Sequence, residues 1–193
     1  MSKHLTSTGI AIAVVILAIG AAVASSRDDS RSTLSTDGKS EFAARLSGAE
    51  EVPPVVTDTT GKVEIEFNED ETKAEYELSV RKGIRVTQSH IHCAPKGVNG
   101  PIVVFLAGFH NRGWDVDGSW IENATVTDAN VIPPPAGSTC PHVITNLRDL
   151  AAAIRAGDTY VNVHTVAHPG GEVRGQLKSE DESGDQRCRS MRS

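Results

Sequence analysis

The stretch GKVEIEFNEDETKAEYELSV, residues 61–80, decides the fold class of this 193-residue chain. Apolar and charged side chains alternate along it with a period of two, first over residues 62–67 and again over residues 74–80. A period of two is typical of a β-strand that buries one face. The polar residues 68–71 between the two runs predict a turn, so we expect the two strands to form a hairpin.

Short segments on both sides of this hairpin predict further strands, with turns rich in glycine and proline between them. These segments lie at residues 42–46, 84–92, 101–106, 119–125, 160–166 and 172–177. One short helix is predicted between Asn146, which can cap its start, and Gly157, which can end it. Many short strands with a single helix predict an all-β fold, an antiparallel Greek-key-like β-sandwich.

Both ends of the chain are predicted to lie outside the folded domain. Residues 1–24 include the uncharged apolar run GIAIAVVILAIGAAVA, which is typical of a signal peptide; an uncleaved N-terminal anchor is the alternative. Residues 25–40 predict a disordered linker and residues 179–193 a disordered tail, which leaves one domain at 41–178. The protein is therefore expected to be secreted, periplasmic or at the cell surface, with membrane contact only through an uncleaved N-terminal segment.

Composition excludes several classes of function. The formal net charge of −6 argues against nucleic acid as a partner, because such proteins need a basic surface. Aromatic residues make up only 4% of the chain, too few for a groove of stacking side chains. The chain also lacks a phosphate-binding Gly-Lys-Ser/Thr loop and a Gly-x-Ser-x-Gly nucleophile turn.

The three cysteines are interpreted from the expected oxidising compartment. Cys93 and Cys140 both lie in the predicted domain close to prolines, and we expect them to form a disulfide. Cys188 lies in the predicted tail, where it is either free or paired with another chain. The alternative for Cys93 is a soft metal ligand beside His92.

Four histidines have a spacing that suits a metal site. His90 and His92 are two residues apart on a predicted strand, so both imidazoles face the same side. His164 lies on another predicted strand and His168 in the turn that follows it. Imidazole is a common ligand of copper and zinc, and we predict a site for one of these ions from all four histidines. The alternative is a buried hydrogen-bonded network of histidines without metal.

Three separated segments resemble one known family, the CHRD domains. They are LSGAEEVPPVVTDTTG (residues 46–61), SHIHCAPKGVNGPIVVFL (89–106) and AGDTYVNVHTVAHPGGEVRGQL (156–177). Similar domains occur in chordin, an extracellular antagonist of bone morphogenetic proteins, and as stand-alone secreted proteins in microbes. The resemblance implies an extracellular domain, but this chain has none of the cysteine-rich modules associated with growth-factor capture.

A fainter resemblance is to copper–zinc superoxide dismutase, a β-sandwich that binds copper through a His-x-His strand and a late strand histidine. The matching residues here are His90, His92 and His164, and Arg174 is similar to the arginine that guides the anionic substrate. The zinc-binding loop has no counterpart. If the chain were dismutase-like, this resemblance would make Arg174 its one catalytic residue; no other catalytic residue is predicted.

Three hypotheses on function follow. The first is a CHRD domain whose histidine cluster binds copper or zinc. The second is a non-enzymatic module that binds an extracellular protein or matrix partner, or has a structural role, without metal. The third is copper-dependent superoxide dismutase-like activity. We expect an enzyme less than a binding module, because the residues themselves assign no acid, base or nucleophile.

Overall fold

The computed structural model describes residues 40–179. The predicted signal peptide or anchor, the linker up to residue 39 and the tail from residue 180, with Cys188, lie outside the described residues. Within the described range, the structure contains no helix with the length and apolarity needed to cross a membrane. The elements are β1 (Ser40–Ser47), β2 (Thr60–Phe67), β3 (Lys73–Cys93), β4 (Ile102–Ala107), β5 (Trp114–Thr127), α1 (Leu147–Arg155), β6 (Thr159–Thr165), β7 (Val173–Gln176) and β8 (Lys178–Ser179).

The predicted hairpin is present. Strands β2 and β3 pair antiparallel, with Phe67 opposite Ala74 and Val63 opposite Leu78. These four side chains are at most 1% exposed, whereas the glutamates between them lie on the other face. The alternation of apolar and charged residues therefore selects the buried face of both strands.

Strand β3 organises the sheet because it is 21 residues long. Its first part pairs with β2 and β5, and its last part pairs with β6 and β4. The sequence predicts two separate strands here, at 74–80 and 84–92, and that separation is wrong. The register shifts between Val80 and Val86 mark bulges that bend a continuous strand instead of ending it.

The strands close into one barrel instead of two separate sheets. Strand β1 pairs with both β2 and β7, β7 pairs with β6, and β6 pairs with the far part of β3. The predicted all-β, antiparallel fold with one short helix is thus confirmed, but the two sheets expected of a sandwich are joined. The barrel closes because the bent strand β3 pairs with β2 at one end and with β6 at the other. Closure leaves few strand edges unpaired.

The helix and the disulfide attach the long loop after β5 to this barrel. The Oδ1 atom of Asn146 accepts a hydrogen bond from the backbone N–H of Asp149 at 2.9 Å, as expected of a helix N-cap. The left-handed backbone of Gly157, with φ of 78°, follows the end of the helix. The predicted helix is therefore confirmed. The end of β3 is joined to the loop before the helix by a disulfide between Cys93 and Cys140, whose Cα atoms are 5.0 Å apart.

Candidate metal centre

Three histidines lie on one face of the neighbouring strands β3 and β6. His90 and His92 are two residues apart on β3, so their side chains project to the same side. His164 lies on β6, two residues after Asn162, which is the cross-strand partner of His90. The intervening Ile91 belongs to the hydrophobic core on the other face. The alternation of side chains along the strands therefore places the apolar residues in the core and the three histidines on the opposite face of the sheet.

Loops bury the histidine cluster. The exposed fractions of His90, His92 and His164 are 1%, 9% and 6%. Gly100, from the β3–β4 connection, and Pro169, from the β6–β7 turn, each contact one of the rings. One nitrogen atom from each histidine lies within 4.8 Å of the nitrogens chosen from the other two. The three imidazoles are therefore close enough to hold one metal ion.

Backbone carbonyl groups determine which ring nitrogens carry protons. Nδ1 of His92 lies 2.8 Å from the carbonyl oxygen of Gly100, and Nδ1 of His164 lies 2.9 Å from that of Pro169. A carbonyl oxygen can only accept, so both Nδ1 atoms donate and both Nε2 atoms keep a free lone pair. Nδ1 of His90, 3.1 Å from Nε2 of His164, must then donate to it. Its own Nε2 is left without a proton and without a hydrogen-bond partner.

Asn162 brings a further acceptor to the same point. Its Oδ1 atom lies 3.1 Å from Nε2 of His92 and 3.0 Å from Nε2 of His164. None of these three atoms has a proton to donate in the tautomers that the carbonyl groups select. Buried acceptors that face one another are relieved either by a turned amide, whose Nδ2 would donate, or by a cation between them, and an imidazole-rich set suits copper or zinc.

Burial keeps the three imidazoles neutral. It lowers the pKa of His90 to about 3, with a smaller contribution from the neighbouring His164 and His92. Burial also lowers the pKa of His92 to about 4 and shifts the pKa of His164 in the same direction. Neutral imidazole is the form that binds a metal ion, so protons do not compete for these nitrogens at neutral pH.

An aromatic and cationic layer supports His92. The ring of Tyr160 stacks on the His92 ring, with centroids 4.7 Å apart and planes inclined by 4°. The guanidinium of Arg174 lies 3.3 Å from the centroid of Tyr160 and donates to Oδ1 of Asn99 and the carbonyl oxygen of Val98. Arg174 is only 2% exposed. It therefore ties the β3–β4 loop to the sheet beneath His92 and does not face solvent.

Phe105 covers the third imidazole. Its ring centroid lies 4.6 Å from that of His90, with the two rings nearly perpendicular. Phe105 is itself 45% exposed, so a single aromatic ring lies between this histidine and solvent. A set of protein ligands that is covered in this way is typical of a closed, structural metal site rather than an open catalytic one.

The fourth predicted ligand, His168, does not belong to the cluster. The β6–β7 turn places it in the lining of a cavity that Glu172 also lines, where it interacts electrostatically with that carboxylate. Two further histidines also lie elsewhere: His110 stacks on Trp114, and His142 lies 2.8 Å from a carboxylate oxygen near the end of the helix. The structure thus brings together three of the four predicted histidines.

The disulfide removes one alternative from the site. Cys93 directly follows His92, but its sulfur is bonded to Cys140. A sulfur in a disulfide has no thiolate to offer a metal ion. The predicted disulfide is confirmed, and Cys93 as a soft metal ligand is wrong.

Glu51 is a further buried ionisable group next to the cluster. It is 6% exposed, and its Oε1 atom has no hydrogen-bond partner. Gly171 lies against both this oxygen and the side chain of Asn162. A Cβ atom added to Gly171 would lie 2.5 Å from Oε1 of Glu51 and 3.0 Å from Nδ2 of Asn162. The carboxyl group is therefore close to the amide that faces the histidines. Burial raises the pKa of Glu51 to about 7, although the nearby Arg174 lowers it.

This pKa predicts how stability changes with pH. A carboxyl group whose pKa is higher in the folded state than in the unfolded state destabilises the fold as the pH rises from about 4.5 to about 7. Between pH 5 and pH 8, metal-free wild-type protein should lose about 2.5 kcal/mol of unfolding free energy relative to Glu51→Gln, which cannot ionise. Urea unfolding in EDTA at several pH values measures this difference. Glu122→Gln, at an exposed position, is the matched control, and parallel profiles for wild type and Glu51→Gln would contradict the assignment.

Sequence reasoning finds the three histidines but misses the groups that orient them. The carbonyl groups of Gly100 and Pro169 leave no trace in the side-chain pattern. Asn162 could have been found, because it shares a strand face with His164 at a spacing of two. Glu51 comes from a loop more than a hundred residues from Asn162, and no local pattern links the two.

The sequence model of the CHRD domain family matches residues 42–177. The matched range contains the three clustered histidines, Asn162 and both bridged cysteines. Neither the curated proteins nor the solved structures gave a match.

Proposed function

The chain belongs to the CHRD domain family, a family of extracellular-type protein-binding modules, and we propose that this member also binds one copper or zinc ion. The ligands are His90, His92 and His164. We further propose that the protein is secreted, periplasmic or held at the cell surface, because a disulfide such as Cys93–Cys140 persists in an oxidising compartment.

One observation carries the metal proposal. The proton positions that Gly100 and Pro169 impose leave the Nε2 atoms of His92 and His164 as acceptors directed at the same oxygen of Asn162, and the proton on Nδ1 of His90 satisfies only the second of them. Without an ion, this arrangement sets buried acceptors against one another. With an ion, each lone pair gains a partner, and the Asn162 oxygen supplies a further donor atom.

The burial of the cluster supports a structural role for the ion. Bound copper would supply one-electron chemistry and bound zinc a fixed divalent charge, whereas the protein residues hold β3 and β6 at one spacing. Tyr160 and Arg174 keep His92 in place from one side, and Phe105 excludes water from His90. These groups orient the ligands before an ion binds, which lowers the entropic cost of binding.

A metal-free hydrogen-bonded network is the second candidate, since the distances of 3.0–3.1 Å between Asn162 and the two histidines also suit hydrogen bonds. It requires the Asn162 amide to be turned so that Nδ2 donates to both Nε2 atoms. A protein of this kind would serve as a protein-binding or structural module with no cofactor.

Metal content separates these two candidates. Untagged protein, loaded with zinc or copper and then desalted, is expected to retain one ion per chain by elemental analysis. His90→Ala and His164→Ala should each retain far less, whereas His168→Ala, in the turn outside the cluster, should retain one ion. Wild-type protein that retains neither metal after loading would rule out the metal site and favour the network.

The dismutase hypothesis has its own test. Superoxide turnover needs an open coordination position and a guanidinium that the substrate anion can reach, but His90 and Arg174 are only 1% and 2% exposed. We therefore expect the copper-loaded domain to consume superoxide no faster than the metal-free protein in a pulse-radiolysis assay. A copper-dependent rate that disappears in His164→Ala would contradict the closed site and favour dismutase activity.

A further inference from the structure

A cavity of about 610 Å³ opens beside the β6–β7 turn, where β3 bulges past the loop at residues 57–59. We propose that this cavity receives a lysine side chain of a partner protein. The ammonium group would pair with Glu172, and the aliphatic stem would lie on Ile84 and Val166. This proposal does not depend on the metal site, because none of the three clustered histidines lines the cavity.

The carboxylate of Glu172 forms the anionic floor of the cavity. The residue is 7% exposed, and its two oxygens accept hydrogen bonds from the hydroxyl groups of Thr57, Thr59 and Thr165 at 2.5–2.7 Å. The Thr59 hydroxyl also lies 3.0 Å from the carbonyl oxygen of Lys82, and it has only one proton to donate. The Oε2 atom of Glu172 accepts only the Thr165 hydroxyl, so it retains capacity for another donor whichever oxygen receives the Thr59 proton.

No lysine or arginine of the described residues pairs with Glu172. The two basic residues that line the cavity are engaged elsewhere: Nζ of Lys82 lies 3.4 Å from Asp58, and Nε of Arg85 donates to the carbonyl oxygen of Arg112. Apart from the threonine hydroxyls, the imidazole of His168 is the lining group that interacts with the carboxylate, and it does so electrostatically. A buried carboxylate in this situation favours a ligand that brings its own positive charge.

Apolar walls specify the kind of cation. Ile84 and Val166 line the cavity and are 70% and 37% exposed, so both leave apolar surface in contact with water. A metal ion gains nothing from such walls, whereas the four methylene groups of a lysine can pack on them while its ammonium reaches the carboxylate. The combination matches a lysine side chain better than an inorganic cation.

The backbone beneath the cavity is held in an unfavourable conformation. Lys82 and Arg85, which flank the bulge, both have φ of 53°, in the left-handed region that favours glycine. Their backbone N–H groups donate to the carboxylates of Asp117 and Asp115 on β5, at 3.2 and 3.0 Å. Strain of this kind persists where surrounding contacts enforce it, and it is concentrated at binding sites. Here the backbone conformation of Lys82 and Arg85 keeps Ile84, which lies between them, in the wall of the cavity.

Titration by NMR tests the proposal on the full-length, metal-free protein. The probes are Nα-acetyl-lysine methylamide and Nα-acetyl-norleucine methylamide, which has the same stem without the ammonium group. The lysine compound should shift the backbone amide signals of Thr57, Thr165 and Val166 with a dissociation constant on the order of 1 mM, and the norleucine compound should not.

Variants make the result specific. Glu172→Gln should weaken binding about ten-fold, because it removes the charge but keeps the shape. Glu122→Gln, a matched loss of one carboxylate at an exposed position outside the cavity, should leave it unchanged. If Glu172→Gln fails to fold, Ile84→Ser decides the question, since loss of the apolar wall should weaken binding several-fold. Equal shifts from both probes, shifts centred on another surface, or unchanged affinity in the informative variant would overturn the proposal.

Discussion

Zinc or copper, at about a thousand times its dissociation constant, is expected to raise the unfolding free energy of the wild-type domain by about 4 kcal/mol and to leave His164→Ala unchanged. The stabilisation arises because the folded state alone brings the three imidazoles of β3 and β6 within 4.8 Å of one another. An ion bound there must be released before the strands can separate. Urea unfolding with buffered free metal, compared with unfolding in EDTA, measures the effect.

His168→Ala is the matched control for this first prediction. It removes a histidine only four residues from His164, but its ring lies outside the cluster, so its stabilisation by metal should equal that of the wild type. Stabilisation that persists in His164→Ala but is lost in His168→Ala would show that the ion binds elsewhere. Equal stabilisation of all three proteins would indicate nonspecific binding.

Removal of the disulfide is expected to have an effect of similar size on metal-free protein. The bond between Cys93 and Cys140 closes a loop with a sequence separation of 47, and loop-closure entropy predicts a loss of about 4 kcal/mol in the double variant Cys93→Ala/Cys140→Ala. Because Cys93 directly follows His92, the variant should also bind metal more weakly. Urea unfolding in EDTA gives the first quantity, and competition with a chelator of known affinity gives the second.

Cys188→Ala serves as the control for the disulfide, since that cysteine lies outside the described part of the chain. Its unfolding midpoint should match that of the wild type under the same conditions. A loss of less than about 1 kcal/mol in the double variant would show that the loop after β5 is held by its other contacts and not by the bond.

The sequence predicts most of the local structure but not the way in which it closes. The alternation over residues 61–80 predicts the hairpin because each side chain on a strand reports which face is buried. The predicted break between residues 80 and 84 is wrong because bulges allow one strand to bend there and to pair on both sides of the barrel. Closure depends on pairing between β1 and β7, whose residues are more than a hundred positions apart.

The same distinction between local spacing and long-range strand pairing applies to the candidate site. His90 and His92 are predicted to lie side by side because spacing along one strand is a local property. His168 is predicted with them because it follows His164 closely, but the β6–β7 turn places it among the residues that line a separate cavity with Glu172. The spacing of two on one strand places Asn162 beside His164, but only the pairing of β3 with β6 brings both to His90 and His92.

X-ray absorption at the zinc edge tests the central claim most directly, because it counts the imidazole rings around the bound ion. Zinc-loaded wild-type protein is expected to show three histidine nitrogens at about 2.0–2.1 Å, with the multiple-scattering pattern of imidazole. Asn162→Asp should keep all three, whereas His92→Ala should lose the site. A first shell made only of oxygen atoms, or one with a single imidazole, would contradict a metal centre formed by His90, His92 and His164.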